Sequence, residues 1–255
     1  MSSRSRLPPE LCDRIIDQLR GQPHALMTCS VVCKSWTPRS RKHLFTDVAF
    51  TSDLHIKAWG NMFPNPANSP ARHTRTLTIK DHLNRFPENF HVSSFRNITV
   101  LCLNVYSVGP VNPGQPNFLA QLHGFAPSLK WLRLAFTSLP VSDIMSLICS
   151  FPLLDNLLLH GIPTSSDAIV IPPKTPTLNG KLCLSVYLEM RMVVDQLLSL
   201  PGGIHFREMT FPWITGQSPA PMMDLISACS RTLECIHLLS HAKCTRLTLP
   251  CMDSR

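Results

Sequence analysis

Four side chains near the end of the chain, Cys235, His237, His241 and Cys244, form the one grouping whose types could hold a metal, since two thiolates and two imidazoles can meet a tetrahedral zinc. Their spacing matches no usual finger or ribbon, so the expectation is that no metal is bound. A second grouping, Arg39, Arg41, Lys42 and His43, could touch phosphates. The same cations at the end of a helix are read more simply as a solvated terminus that complements the helix dipole. A third pair, Trp131 and Arg133, has the chemistry of an interface hot spot. The chain contains no Gly-rich phosphate loop, no Gly-x-Ser-x-Gly elbow, no His-Glu-x-x-His and no framed pair of acids. It therefore reads as a binding protein that is not an enzyme and needs no cofactor.

The elements that must position these groups begin with the bulk of the chain. With 44% apolar residues among 255, a sizeable core is possible. No run approaches a membrane span, and Met-Ser-Ser-Arg-Ser-Arg leads into Leu-Pro-Pro-Glu without the apolar stretch of a signal peptide. The expectation is a soluble protein, cytoplasmic, nuclear or both, with no membrane partner. Of the net charge of +8, five units lie in residues 1–45, which hold eight Lys or Arg against three acids. Without a recognition helix or interleaved aromatics, this makes a nucleic acid an unlikely partner. The ten cysteines are scattered, most of them inside apolar runs such as Leu-Cys-Leu, and read as free thiols.

Residues 7–36 carry the densest pattern. Leu11, Ile15, Ile16 and Leu19 form one apolar stripe at helical period, opposite Asp13, Arg14, Asp17 and Gln18. Pro8 and Pro9 open that helix and Gly21-Gln22-Pro23 closes it. Leu26, Cys29, Val32, Cys33 and Trp36 make a second stripe. A pair so short cannot hide so many apolar positions, which points to a partner.

The ordered series Leu7-Pro8, Glu10-Leu11, Ile15-Ile16, Leu19, Leu26, Val32-Cys33 and Trp36 resembles an F-box over about Leu7 to Phe45. The F-box is the module by which substrate receptors dock on the Skp-family adaptor of a cullin-based SCF-type ubiquitin ligase. The resemblance implies a substrate receptor whose partners are that adaptor, a cullin reached through it, and a target protein. The implied adaptor-binding residues are Leu7, Pro8, Glu10, Leu11, Ile15, Ile16, Leu19, Val32, Cys33 and Trp36. Val32, Cys33 and Trp36 are expected partly to hold the helical pair together.

Beyond residue 73 an apolar-x-x-apolar-x-apolar unit recurs, as in Ile98-x-x-Leu101-x-Leu103, Leu129-x-x-Leu132-x-Leu134, Leu154-x-x-Leu157-x-Leu159, Phe206-x-x-Met209-x-Phe211 and Leu233-x-x-Ile236-x-Leu238. Shorter matches occur at Leu77-x-Ile79 and Leu182-x-Leu184. Their middle positions are separated by 24, 31, 25, 25, 27 and 27 residues, largely within the period of leucine-rich repeats. Val48 and Phe50 extend the series as a first strand. Helices are expected at Ile56 to Phe63, Phe118 to Phe125, Ser142 to Phe151 with Ser142 as cap, Met192 to Leu200, and Pro221 to Cys229. The main insertion falls at 104–117. This half resembles the leucine-rich-repeat-like domains found behind F-boxes. It departs from them in carrying His82, Tyr106, Thr137, Ile162, Tyr187, Ile214 and His241 where regular repeats often have Asn or Cys.

The expected fold class is α/β: a flexible start at 1–6, a small all-α F-box module at 7–45, a connecting segment at 46–72, and an irregular leucine-rich-repeat-like α/β solenoid at 73–255. Leu247-Thr248-Leu249 follows Ile236 too closely for another repeat. It is read either as an edge strand or as a chain stopping short of its natural end. In such a solenoid the residues between the Leu-x-Leu positions line one open face. The target-binding candidates on it are Trp131, Arg133, Asn156, Leu158, Glu208 and His237, beside Thr76, Thr78, Val100, Cys102, Cys183, Thr210 and Cys235. Alternatives to substrate recruitment are an interaction scaffold without target turnover and, less favoured, a nucleic-acid-associated protein using the basic N-terminal part.

Overall fold

The computed structural model describes residues 8–80, 86–87, 90–105, 121–125, 127–164, 176–185, 190–212, 219–239 and 244–248. Leu7, His82, Tyr106, Tyr187, Ile214 and His241 lie outside the described residues, as do residues 106–117 of the expected insertion. Seven α-helices and nine strands are described. Three helices come first: α1 (Pro9–Gln18), α2 (Pro23–Val32) and α3 (Thr37–Leu44). Each has a proline in its first turn, where the missing N–H has no partner to lose. Their shared interior is small, with Ile16 at 0% and Leu26 at 2% exposure as the buried apolar residues.

Then one nine-stranded sheet runs in strict chain order: β1 (Asp47–Phe50), β2 (Thr76–Lys80), β3 (Val100–Val105), β4 (Trp131–Pro140), β5 (Asn156–Thr164), β6 (Leu178–Ser185), β7 (Ile204–Pro212), β8 (Cys235–Leu239) and β9 (Cys244–Thr248). The first eight are parallel, and β9 returns antiparallel against β8, so the segment near Leu247 is an edge strand. The repeat read from the sequence lies in register. Val48, Leu77, Leu101, Leu132, Leu157, Leu182, Met209 and Ile236 face one another strand to strand, none more than 9% exposed. Phe50, Ile79, Leu103, Leu134, Leu159 and Leu184 make a second buried line one pleat further on.

The covering layer comprises α4 (Asp53–Met62), α5 (Val141–Cys149), α6 (Met190–Leu198) and α7 (Ala220–Ala228), with 3₁₀ turns at Pro66–Asn68, Pro70–His73, Val92–Ser94 and Leu122–Phe125. Ile56, Ile144, Ile148, Val193, Leu197 and Leu225 from these helices share one core with the buried strand lines. Connections between adjacent parallel strands keep one hand, and among the described residues the helices and turns pack on the buried lines while the opposite face carries exposed and half-buried side chains.

Three expectations need correction. The helix at 118–125 is a single 3₁₀ turn, Leu122–Phe125, with residues 118–120 outside the described part. Ser142 does not cap α5; Pro140 does, in extended backbone and without a side-chain bond, because the helix begins directly at Val141. Asn104 and Val105 belong to β3 and not to an insertion. Thr137 and Ile162 stand inside strands.

Gly180 sits at a register shift in β6 with φ +79°, and a Cβ there would fall 2.0 Å from the Asp155 carbonyl oxygen. Both the left-handed backbone and the close approach require glycine. Gly180→Ala is expected to destabilise the protein by about 2 kcal/mol or more. Leu157→Ala, in the middle of the buried line, should cost about 2–5 kcal/mol. Glu234→Ala, exposed before β8, should stay within about 0.5 kcal/mol. Urea unfolding monitored by circular dichroism checks all three.

Candidate functional site: the helical stripes and the open sheet face

Among the described residues, twelve large apolar side chains are left exposed, and five of them lie between Leu11 and Val32, so the exposure is concentrated in the helical module. Leu11 (44%) and Ile15 (46%) stand four apart on α1; Met27 (47%) and Val31 (83%) stand four apart on α2, with Val32 (64%) beside them. Each helix thus shows a solvent-facing apolar stripe. Met27 and Val31 were absent from the sequence-derived set. The signal for them was present, because Ala25, Leu26, Met27, Val31 and Val32 make α2 apolar on every side, and a helix of that kind in a small module must leave one side out.

The other expected adaptor residues divide. Pro8 and Glu10 are exposed, and Leu19 and Trp36 are half-buried. Ile16 is fully buried, so it supports the module from inside and offers nothing to a partner. Of the three residues expected partly to hold the helical pair together, Val32 and Cys33 are exposed and Trp36 is half-buried. A different tie, from α1 to α3, runs through Asp17. Its carboxylate accepts from Arg39 Nε at 2.6 Å and Arg39 Nη2 at 2.5 Å, and lies 2.6 Å from His43 Nε2, tying α1 to α3. The Arg39 hydrogen bond, then that of His43, holds the Asp17 carboxyl well below the usual carboxylate range, and the same contact raises Arg39. Two members of the basic grouping are therefore internal partners and not free phosphate ligands.

On the uncovered sheet face, neighbouring strands align Asp47, Thr76, Val100, Trp131, Asn156, Lys181, Glu208 and Cys235 in one line, and Ala49, Thr78, Cys102, Arg133, Leu158, Cys183, Thr210 and His237 in the next. The six target-binding candidates all lie on these two lines. Trp131 is 45% exposed and Arg133 is exposed, whereas Asn156, Leu158, Glu208 and His237 are half-buried. Glu208 is already paired, its carboxylate 2.7 Å from Lys181 Nζ. Cys235, expected on this open face, is 2% exposed, wedged between β7 and the edge strand β9 with its sulfur 3.4 Å from His237 Nε2.

Two members of the candidate metal grouping, Cys235 and Cys244, stand apart along the backbone, and His241 lies outside the described residues. Cys244 pairs with Leu239, four residues along β8 from Cys235. That is about 13 Å at strand spacing, too far for two cysteines to share one ion. Among the other thiols, burial pushes Cys149 up to about 11 and raises Cys183 and Cys229, so these remain protonated and inert.

Fold and site define a mixed α/β protein with a parallel sheet, one face packed and one open, preceded by a three-helix unit with unpartnered apolar stripes. No protein-family model matches the chain, and no curated protein matches it. No helix among the described residues is long and apolar enough to cross a membrane.

Because the folded-state Asp17 value is depressed, its contribution to stability is fully present above the ordinary carboxylate value and is lost as pH falls below about 4. Asp17→Asn is expected to melt earlier than the wild type at pH 7, and the difference should shrink as pH falls from 4 to 2. Thermal unfolding across that pH series checks it. A gap that stays constant would remove Asp17 as the ionic tie.

Proposed function

We propose that the chain is a substrate-recruiting F-box subunit of an SCF-type ubiquitin ligase, with residues 7–45 docking on a Skp-family adaptor and, through it, a cullin. The leucine-rich-repeat-like α/β solenoid that follows presents a target protein along its open sheet face. The observation that carries this reading is the pair of exposed apolar stripes, Leu11 with Ile15 and Met27 with Val31, on a module otherwise closed around Ile16 and Leu26. Apolar side chains held out at helical spacing are what a partner helix buries. The order of residues from Pro8 to Trp36 supports the F-box in particular.

In this reading the chemistry belongs to other subunits. The chain raises the local concentration of a target lysine near a charged ubiquitin carrier, which is the entropic part of the rate and needs no catalytic group here. A rigid link between module and sheet serves that role. Phe45, which ends α3, packs edge-on against Trp59 and Phe63 at 5.8 and 6.2 Å, and Trp59 in turn meets Phe50 of β1 at 5.5 Å.

Ile15→Ala combined with Val31→Ala should leave the fold intact, because both side chains already face solvent. It should abolish co-purification of adaptor and cullin, since each buried anchor is worth about 2 kcal/mol, or some thirtyfold in affinity. Ile16→Ala is the contrasting variant, losing thermal stability first. A folded double variant with undiminished adaptor binding overturns the assignment. Trp131→Ala with Arg133→Ala should keep the adaptor and lose the target. Affinity purification with the proteasome blocked reads both.

A further inference from the structure

The cations of the N-terminal half do not act separately. Arg39 and His43 turn toward Asp17, while Arg41 and Lys42 on the same helix face another group. Helix α3 packs on the Pro70–His73 turn, and burial, followed by the charges of Arg72, Lys42 and Arg41, holds His73 below the ordinary imidazole value. Arg72 Nε donates to His73 Nε2 at 3.3 Å.

From Arg72 the basic groups continue along the edge at which the strands begin. Asn97 Nδ2 donates to the Arg72 carbonyl at 2.7 Å, Arg75 Nη1 donates to the Asn97 carbonyl at 3.2 Å, and the Ser128 hydroxyl donates to the Arg96 carbonyl at 3.1 Å. The amide of Thr99 bonds the Arg75 carbonyl at 2.9 Å, and that of Lys130 bonds the Thr99 carbonyl at 3.0 Å. Residues 72–75, 96–99 and 127–130 are thus three rungs of one hydrogen-bonded edge, and Arg72, Arg75, Arg96 and Lys130 are all exposed on it. The edge from β2 to β4 spans about 10 Å. With Lys42, exposed, and Arg41, half-buried, at its α3 end, six cations line one seam.

An acid flanks each side of the β2–β4 edge. Asp47 opens β1 on one side, and Asp155 precedes β5 directly beyond Lys130 on the other; both are exposed. Beside the seam, the half-exposed indole of Trp131 follows Lys130 onto the open face.

We infer that this seam is a docking site for a short acidic protein segment, three or four Asp or Glu residues in extended form with an apolar residue lying toward Trp131. Charge complementarity sets the partner's sign, and the length follows from the 10 Å edge at roughly 3.4 Å per residue. A nucleic-acid strand fits less well, since its phosphates continue past the seam and meet Asp47 or Asp155 at like charge. The inference goes beyond the adaptor-binding reading and stands whether or not the α1 and α2 stripes dock on an adaptor.

The test uses the full chain and fluorescence anisotropy of a labelled peptide of alternating Asp and Glu carrying one Leu, with a Lys-substituted peptide and a single-stranded DNA oligonucleotide as competitors. The acidic peptide is expected to bind at low salt, to weaken as salt rises, and to resist both competitors. Arg72→Glu, Arg96→Glu and Lys130→Glu together should weaken it about tenfold or more. Lys130→Glu alone, whose side chain holds no hydrogen bond among the described residues, should weaken it severalfold and guards against misfolding of the triple variant. Arg231→Glu, an exposed cation four strand intervals away beside β8, should not change it. Failure to bind, equal loss with Arg231→Glu, or retention by Lys130→Glu and a folded triple variant overturns the proposal. Displacement of the peptide by the oligonucleotide at comparable charge concentration overturns it in favour of a phosphate-binding surface.

Discussion

A Leu-x-Leu strand cannot hide its apolar side chains alone, and every larger feature of this protein answers that constraint. Val48 needs Leu77 beside it, Leu77 needs Leu101, and so on to Ile236, until eight parallel strands share a single buried line. Full burial of each such side chain is worth about 1.5–3 kcal/mol, whereas one strand by itself would leave half of that area wet. Parallel pairing forces each connection across the sheet, and the common hand of those crossings puts all the helices on the same side. Among the described residues no helix covers the opposite face, whose side chains on the two strand lines, Cys235 apart, are exposed or half-buried. Regularity is not required, only that each rung bring one apolar group down onto the line. A mixed cover of helices and 3₁₀ turns therefore suffices, with Phe95 and Phe125 filling under turns the place that Ile144 and Ile148 fill under a helix.

The helical module obeys the opposite economy. Two fully enclosed apolar residues, Ile16 and Leu26, are too few to hold three helices, and the Asp17 tie to Arg39 and His43 supplements them. Such a pair is partly exposed and is therefore sensitive to pH and salt. The module gains its firmer support at its far end, where Phe45 enters the aromatic cluster of Trp59, Phe63 and Phe50. The module meets the Pro70–His73 turn through α3, while the stripe residues of α1 and α2 stay in water.

Burial shifts the thiols Cys149, Cys183 and Cys229 toward the protonated form, and it raises the Asp143 carboxyl in α5. Trp131 and Arg133 occupy adjacent same-face positions on β4, and the exposed Lys130 precedes them. Surfaces of this kind select partners through area and electrostatics.

The repeated spacing in the sequence carried the parallel strands and their order, because period-two burial at near-constant intervals has few other solutions. The residues of both open-face lines followed from the same alternation. The two helical stripes were legible only in part: Leu11 and Ile15 followed from periodicity, whereas Ile16, with an identical pattern value, turned out to be interior. One position of rotation on a helix separates facing solvent from facing α3, and only the packing of three helices decides it. The fate of the basic grouping was equally hidden. Arg39, Arg41, Lys42 and His43 read as one solvated run, yet a helix turns successive residues about 100° apart. Tertiary contact then sends Arg39 and His43 to Asp17, 22 and 26 residues away, and leaves the charges of Arg41 and Lys42 acting on His73. Local spacing fixed what each segment could become, and only long-range contact decided which face of each segment met the core and which met the solvent.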